Sequence, residues 1–355
     1  MASTPTREKA PSAPWGRTAA AFLRWRLRNL LRMLPARNAT SDAASGVATA
    51  SGRKHRIAYL FAGTYGDFVQ VLRPLNRLAS AFPQSEIILW GGRKYLREFA
   101  SELPASLRPM RPPEPWRWIA DSVDLLFVNC VGVYRVRFDV AAVFCARSAY
   151  GFRHSHESGR GGFARSLPLG SEVRNFAEEN LRLLDQAGVP QGTVPDGGKR
   201  AHVPAGSPLP APGRDGILFL IGSAGLKRDF GLETYSRLVS EILRKLSDRP
   251  MEVVAGPGDG DIATRVRAET GIEAQTHPLP RLIHLLRSFE GTVLCFNSFS
   301  AHICHYLGRP AIVLHREAVP YGYDCAPLHR QIVLKSEKGW ELGDLWTALD
   351  CPGSH

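Results

Sequence analysis

Six prolines, at positions 190, 195, 204, 208, 210 and 212, fall between Gly188 and Gly216 among many glycines. Proline fixes φ and lacks the backbone N–H, so this stretch can be neither a helix nor an interior strand. It divides the chain. On each side of it short apolar runs alternate with amphipathic stretches, the pattern of strands joined by crossover helices into a parallel sheet. At 355 residues two domains of ordinary size are expected. The expected fold class is α/β with two parallel-sheet domains, divided as a basic leader 1–55, an N-terminal domain 56–190, a Pro/Gly linker 191–215, a C-terminal domain 216–335 and a tail 336–355.

In the first half, strands are expected at Ile57 to Phe61, Glu86 to Trp90, Val123 to Asn129 and Val140 to Phe144. Helices are expected from about Asp67 to Ala81, over Gly91 to Glu102 and over Asn175 to Ala187. Ser148 to Ser166, rich in Gly, Arg and His and without period, reads as a long loop. In the second half, strands are expected at Ile217 to Ile221, Glu252 to Ala255, Thr292 to Phe296 and Ala311 to Leu314. The helices between them are Glu233 to Leu246, Ile262 to Glu269, Leu279 to Arg287 and Ser300 to Leu307.

The formal net charge of +12 suggests nucleic acid until it is located. Residues 1–56 hold 11 Lys and Arg against 2 Asp and Glu, which leaves 34 against 31 for the rest. A nucleic-acid enzyme carries its charge along a groove of the folded body, so no nucleic-acid partner is expected. Residues 1–14 and 38–52 are too poor in apolar side chains to pack. Between them, Trp15, Ala19, Phe22, Leu23, Leu27, Leu30, Met33 and Leu34 gather on one helical face, with Arg17, Arg24, Arg28 and Arg32 opposite and Arg26 breaking the pattern. Such a helix, residues 15–34, can lie in an anionic membrane surface, each basic residue adding about 1 kcal/mol. The alternatives are a helix docked on the protein's own body and an unfolded leader, but a near-neutral body has little use for five arginines. No stretch has the length of a membrane span, and the leader lacks the apolar core and cleavage site of a secretory signal. The six cysteines show no C-x-x-C pairing, which fits a reducing cytosol.

Three turns follow apolar strands: Gly222 to Lys227, Gly256 to Asp261, and Asn297-Ser298 at the end of Thr292 to Phe296. Each delivers small or polar residues to a helix N-terminus, where backbone N–H groups and the helix dipole favour an anion. Three on one sheet edge point to a phosphate-bearing ligand. The loop before Lys227 is no Walker P-loop, since G-x-x-x-x-G-K-[ST] is absent. Gly63 to Gly66 lacks G-x-G-x-x-G, and Glu86 stands at the wrong end of its strand for a ribose contact, so a nicotinamide-dependent oxidoreductase is set aside. Asp259-Gly260-Asp261 is formally a D-x-D, yet it precedes a helix where acids serve as caps. His302 and His305 share a helix face without a third ligand nearby, so no metal site is expected.

These positions resemble a known family. Gly63-Thr64-Tyr65-Gly66-Asp67, then Gly222-Ser223-Ala224-Gly225-Leu226-Lys227-Arg228, Gly256-Pro257-Gly258-Asp259, and Asn297-Ser298-Phe299-Ser300-Ala301-His302 ending in Leu307-Gly308-Arg309-Pro310 are similar to the motifs of the bacterial heptosyltransferases, glycosyltransferase family 9. The similarity runs from about residue 57 to about residue 315. It implies the GT-B fold of two Rossmann-like domains. It also implies an inverting, metal-independent glycosyltransferase that uses a nucleotide-diphosphate sugar, without a cofactor, on a lipopolysaccharide-core or other lipid-linked acceptor. The enzyme would work at the cytoplasmic face of the inner membrane.

By the same resemblance Asp67 is the catalytic base, although its spacing alone favours a helix cap. The donor would be held by Gly222, Ser223, Ala224, Lys227, Gly256, Asp259, Asn297, Ser298 and His302. Arg153, His154 and His156 lie in the long first-domain loop, where their charge would suit a phosphorylated or acidic acceptor; a disordered polar loop is the alternative. The chain departs from the family pattern at Asn297, where the family has Asp, at Phe299, where it has Gly, and at Leu314-His315-Arg316-Glu317, where it has Phe-Gly-Pro-Thr. These positions meet the transferred sugar or its nucleotide in the family, so the sugar is unspecified. The replaced Asp also leaves open a non-catalytic relative that binds a nucleotide or glycan as a membrane-associated assembly factor.

Overall fold

The computed structural model describes residues 54–110, 123–129, 146–154, 165–169, 175–191, 216–256, 258–316, 328–334 and 340–350. The leader, most of the Pro/Gly segment and the expected strand at Val140 to Phe144 lie outside them.

The described residues form two six-stranded sheets, and every strand pair is parallel. The first holds β1 (Arg56–Leu60), β2 (Glu86–Trp90), β3 (Leu107–Met110), β4 (Val123–Val128), β5 (Ala146–His154) and β6 (Arg165–Leu169), in the order β3-β2-β1-β4-β5-β6. The second holds β7 (Ile217–Leu220), β8 (Met251–Ala255), β9 (Gln275–Thr276), β10 (Thr292–Phe296), β11 (Ile312–His315) and β12 (Arg330–Val333), in the order β12-β11-β10-β7-β8-β9. Both sheets have the doubly wound order, in which the chain reverses direction beside the first strand and opens a crevice at the carboxyl edge.

Alternation along β1 sends Ile57, Tyr59 and Phe61 into one core and Ala58, Leu60 and Ala62 into another. Along β7, Leu218 and Leu220 join the same core as Ile57, while Ile217, Phe219 and Ile221 face away from it. One hydrophobic core therefore runs from the first sheet to the second. Helices of both lobes fill it, among them α1 (Tyr65–Ala81) from the first lobe and, numbering in chain order, α7 (Phe299–Tyr306) from the second. The first lobe also carries α2 (Phe176–Gln186), whose Asn180 accepts from the Tyr59 hydroxyl at 3.1 Å. The second lobe carries α3 (Ala224–Phe230), α4 (Leu232–Lys245), α5 (Gly260–Thr270), α6 (Leu279–Ser288) and α8 (Gly343–Asp350). On the outer face of its sheet, Leu238, Val239 and Ile242 of α4, Ile262 and Val266 of α5, and Leu345 and Leu349 of α8 are buried.

Three expectations need correction. Ser148 to Ser166 is not one long loop: β5 and β6 occupy its two ends, and Phe127 stacks on Tyr150 at 5.2 Å between ring centroids. Its Gly, Arg and His content hides the short run Ala149 to Phe152, which is buried. Gly91 to Glu102 is not a regular helix, since Gly91 and Gly92 hold positive φ and only Arg93–Tyr95 forms a 3-10 turn. A Cβ at Gly91 would stand 2.3 Å from the Phe61 carbonyl, so this close approach requires glycine. Tyr95 and Phe99, four apart and both buried, mimic helical spacing while packing from a chain of turns. Gly222 to Lys227 is not all loop either, because α3 starts at Ala224.

Candidate active site

In the first lobe the crevice beside β1 is closed by Asn129, 1% exposed, whose side chain accepts from the Ala62 N–H at 3.1 Å and donates to the Ala62 carbonyl at 2.9 Å. This fixes the turn into α1. Thr64 caps that helix. Asp67, three residues on, accepts through Oδ2 from the Thr64 N–H at 2.6 Å and from its hydroxyl at 2.8 Å, the return half of a capping box. Asp67 is 5% exposed. A Cβ on Gly63 would fall 2.6 Å from that of Asp67, so the turn tolerates only glycine.

In the second lobe three turns interlock at the carboxyl edge. Ser298 caps α7 by accepting from the Ser300 N–H at 3.3 Å, and its hydroxyl donates to the Gly222 carbonyl at 2.9 Å. Ser223, 2% exposed, caps α3 through the Leu226 N–H. Asp259 lies over Gly222 and Gly256: a Cβ would stand 2.3 Å from its Oδ2 at the first and 2.6 Å at the second. Lys227 meets Asp259 at 2.5 Å and Asp261 at 3.1 Å and donates to the Gly258 carbonyl at 3.3 Å. Burial pulls the Lys227 pKa down, but the hydrogen bonds to Asp259 and Asp261 outweigh it and hold the ammonium above its ordinary value. Asp259 stands at the N-cap position of α5, and Asp261, in its first turn, accepts from the Ile262 N–H at 2.8 Å. The acids thus keep the helix-start place the sequence suggested and also serve Lys227 as counterions. The Asn297 N–H donates to the Leu314 carbonyl at 2.8 Å.

The lobes meet where α1 and α7 begin. A Cβ on Gly66 would lie 3.0 Å from the His302 ring and 3.8 Å from the Phe299 Cα. Phe299 sits edge-on to Tyr65 at 4.7 Å and contacts Phe99 at 6.2 Å, so its side chain packs in the joint between the lobes. Burial and the adjacent Glu98 carboxylate, which accepts from the Tyr65 hydroxyl, raise the Tyr65 pKa far above the ordinary value. Burial, reinforced by His305 and His315, drops the His302 pKa to about 3, so its imidazole is neutral at physiological pH. Farther along the joint, Glu102, 6% exposed, accepts from Arg287 at 2.8 Å and from the Tyr306 hydroxyl at 3.0 Å. Arg73 donates to the last carbonyls of α7, at His305 and Tyr306.

Most of the sequence-predicted residues converge. Gly222, Gly256, Asp259, Lys227, Ser223, Ala224 and Ser298 form one contiguous patch with Asn297 beside it, and His302 touches the turn that carries Asp67. Arg153 and His154 close β5, and His156 lies outside the described residues. Sequence reasoning missed Tyr65, Phe99, Phe299, Glu102 and Arg287 as joint residues. The Glu102–Arg287 pair spans 185 positions, and no local signal marks it.

No protein-family profile and no curated protein sequence matches the chain. Solved structures do. The chain is similar to E. coli ADP-heptose lipopolysaccharide heptosyltransferase II at 16% identity and a TM-score of 0.53, covering 83% of this chain and 96% of that one. A glycosyltransferase family 9 structure from Veillonella parvula gives 16% identity, a TM-score of 0.54 and coverage of 84% and 91%. A putative UDP-N-acetylglucosamine 2-epimerase from Listeria monocytogenes gives 12% identity, a TM-score of 0.50 and coverage of 83% and 88%. The chain thus has the two-lobed parallel-sheet GT-B fold found in the heptosyltransferases. A fold shared with an epimerase leaves the reaction to be argued from the site.

Proposed function

We propose that this chain is an inverting, metal-independent glycosyltransferase. It moves a sugar from a nucleotide-diphosphate sugar to a lipopolysaccharide-core or other lipid-linked glycan acceptor at the cytoplasmic face of the inner membrane. The observation that carries the reading is the contact path between the lobes. The turn bearing Asp67 abuts α7 at Gly66, Ser298 at the head of α7 bonds Gly222, and Gly222 lies under Asp259, the partner of Lys227.

In this reading Asp67 releases Thr64 and takes the proton of the acceptor hydroxyl as that oxygen attacks the anomeric carbon. Attack from the face opposite the leaving diphosphate inverts the configuration. Lys227 exchanges its two carboxylate partners for the diphosphate and supplies the charge that a metal would otherwise bring. The N–H groups of Ser223 and Ala224 add to this, Asp259 turns to the ribose, and Asn297 and Ser298 hydrogen-bond the sugar or second phosphate. Neutral His302 lines the cleft. Arg153, His154 and His156 face the acceptor, and residues 15–34 hold the chain on an anionic membrane surface. Residues 56–190 would then be the acceptor domain and 216–335 the donor domain, so that closing the lobes completes the site.

One observation favours a second reading, a non-catalytic nucleotide- or glycan-binding assembly factor: Lys227 is already paired with two carboxylates, and Asp67 is already engaged by Thr64. Glycosyl transfer by the purified chain from a panel of nucleotide sugars to lipid-linked acceptors separates the two. The enzyme reading expects transfer that falls by about 100- to 10,000-fold in Asp67→Asn, which still accepts from Thr64 but cannot take a proton. Undiminished transfer in that variant removes Asp67 from the chemistry. No transfer with any donor, alongside binding of a nucleotide or glycan, favours the assembly factor.

A further inference from the structure

One turn beyond the Asp67 turn, α1 and α7 leave a small, partly open cavity of about 10 Å³, close to the volume one water needs, between the two lobes. Gln70 and Arg73 of α1, Asn175 at the head of α2, and His302, His305 and Tyr306 of α7 line it. Gln70 is 5% exposed, and neither its Nε2 nor its Oε1 has a hydrogen-bond partner. Both ring nitrogens of His305 lack one as well, Nε2 standing 3.6 Å from Glu178 Oε1, which is too far for a hydrogen bond. Gln70, buried, and His305, half-buried, thus line a single cavity from the two lobes with side-chain nitrogens and an oxygen that lack partners. Leaving a buried polar group in that state costs its full desolvation penalty, so the fold calls for a partner.

The chemistry of the lining selects that partner. Gln70 offers both a donor and an acceptor, and the His305 ring presents two nitrogens. Arg73 already donates to the His305 and Tyr306 carbonyls at 3.1 and 3.2 Å, and its charge is offset by Glu178 at 3.9 Å. Asn175 accepts from the Ala177 and Glu178 N–H groups as the cap of α2. The carboxylate beside the cavity, Glu178, thus faces both Arg73 and His305. Among the described residues no three His, Cys, Asp or Glu side chains stand close enough together to hold a metal.

We propose that one buried water occupies this cavity and bridges Gln70 of the first lobe to His305 of the second. The joint is then part solvent: apolar and aromatic around Phe299, ionic at Glu102, and water-mediated between them. A bridging water is nearly as favourable as a direct hydrogen bond and reorients readily, so it accommodates small shifts of α1 against α7.

A high-resolution crystal structure of the full chain tests this. The expected result is one isolated density peak in the cavity at about 2.7–3.2 Å from polar atoms of both Gln70 and His305. An empty cavity, a direct Gln70 to His305 hydrogen bond, or a peak at about 2.0–2.1 Å from a His305 nitrogen, the distance of a metal ligand, would overturn it. In crystals of Gln70→Leu the peak is expected to be lost, and a peak that persists with unchanged occupancy denies Gln70 its part in the bridge.

Discussion

Arg287→Met is the sharpest perturbation of the joint between the lobes. It removes the cation from a carboxylate whose side chain is 4% exposed and leaves Glu102 with the Tyr306 hydroxyl and a 3.3 Å contact from the Ser101 hydroxyl. Breaking a buried pair by deleting one partner costs about 3–5 kcal/mol, because the remaining charge has lost its compensation. Methionine preserves much of the arginine stem's packing, so little of that cost comes from a cavity. Adding Glu102→Met removes the stranded charge but orphans the Tyr306 hydroxyl, which is worth about 1–3 kcal/mol. The triple variant with Tyr306→Phe has neither defect and is expected within about 1 kcal/mol of the parent, since apolar replacements of a buried pair are often neutral. Urea denaturation followed by tryptophan fluorescence and circular dichroism measures all three. A loss below about 1 kcal/mol for Arg287→Met, or a triple variant no more stable than the single, refutes the claim that this pair is a buried interlobe contact.

Other consequences follow from the same contacts. Burial holds His302 and His329 at a pKa of about 3, against an ordinary value of 6.5. Below pH 6.5 the unfolded chain binds protons that the folded chain refuses, so stability is full above that pH and declines down to about pH 3. The expected slope is about 1.4 kcal/mol per pH unit for each histidine, and a pH series on His302→Phe should show it reduced by one such increment. Gly222→Ala places a methyl 2.3 Å from Asp259 Oδ2, and displacing that carboxylate is expected to cost about 1–3 kcal/mol in a thermal melt, with the Lys227 pair loosened. Deleting residues 1–52 is expected to release the protein from anionic vesicles in a sedimentation assay, and undiminished sedimentation removes the leader from membrane binding.

The sequence made legible what has a short period. β10 is the apolar run Thr292 to Phe296 itself, and α4, α5 and α6 fall within one or two residues of their amphipathic patterns. What it hid depends on partners distant in the chain. β5 is a strand because β4 lies beside it, and Gly151, Arg153 and His154 argue locally for a loop. Two misses were avoidable. Leu342, Leu345 and Leu349 repeat at helical spacing and mark α8, and Ser223 before Ala224 is a capping signal for α3. At the candidate site the glycines and Lys227 stood out, as did Asp67, whose capping role the spacing alone had favoured. The pairing of Lys227 with Asp261 across 34 positions did not. Neither did the place of Phe299, which is set by Tyr65 and Phe99 of the other lobe.

The most direct test of the two-lobed donor cleft is isothermal titration of nucleotide-diphosphate sugars into the full-length chain, beside Lys227→Ala. The account predicts that at least one donor binds the parent chain and that the variant loses at least tenfold in affinity, about 1.4 kcal/mol, as the cation facing the diphosphate is removed. Equal affinity in the two proteins, or no binding of any nucleotide sugar to the parent, would contradict it.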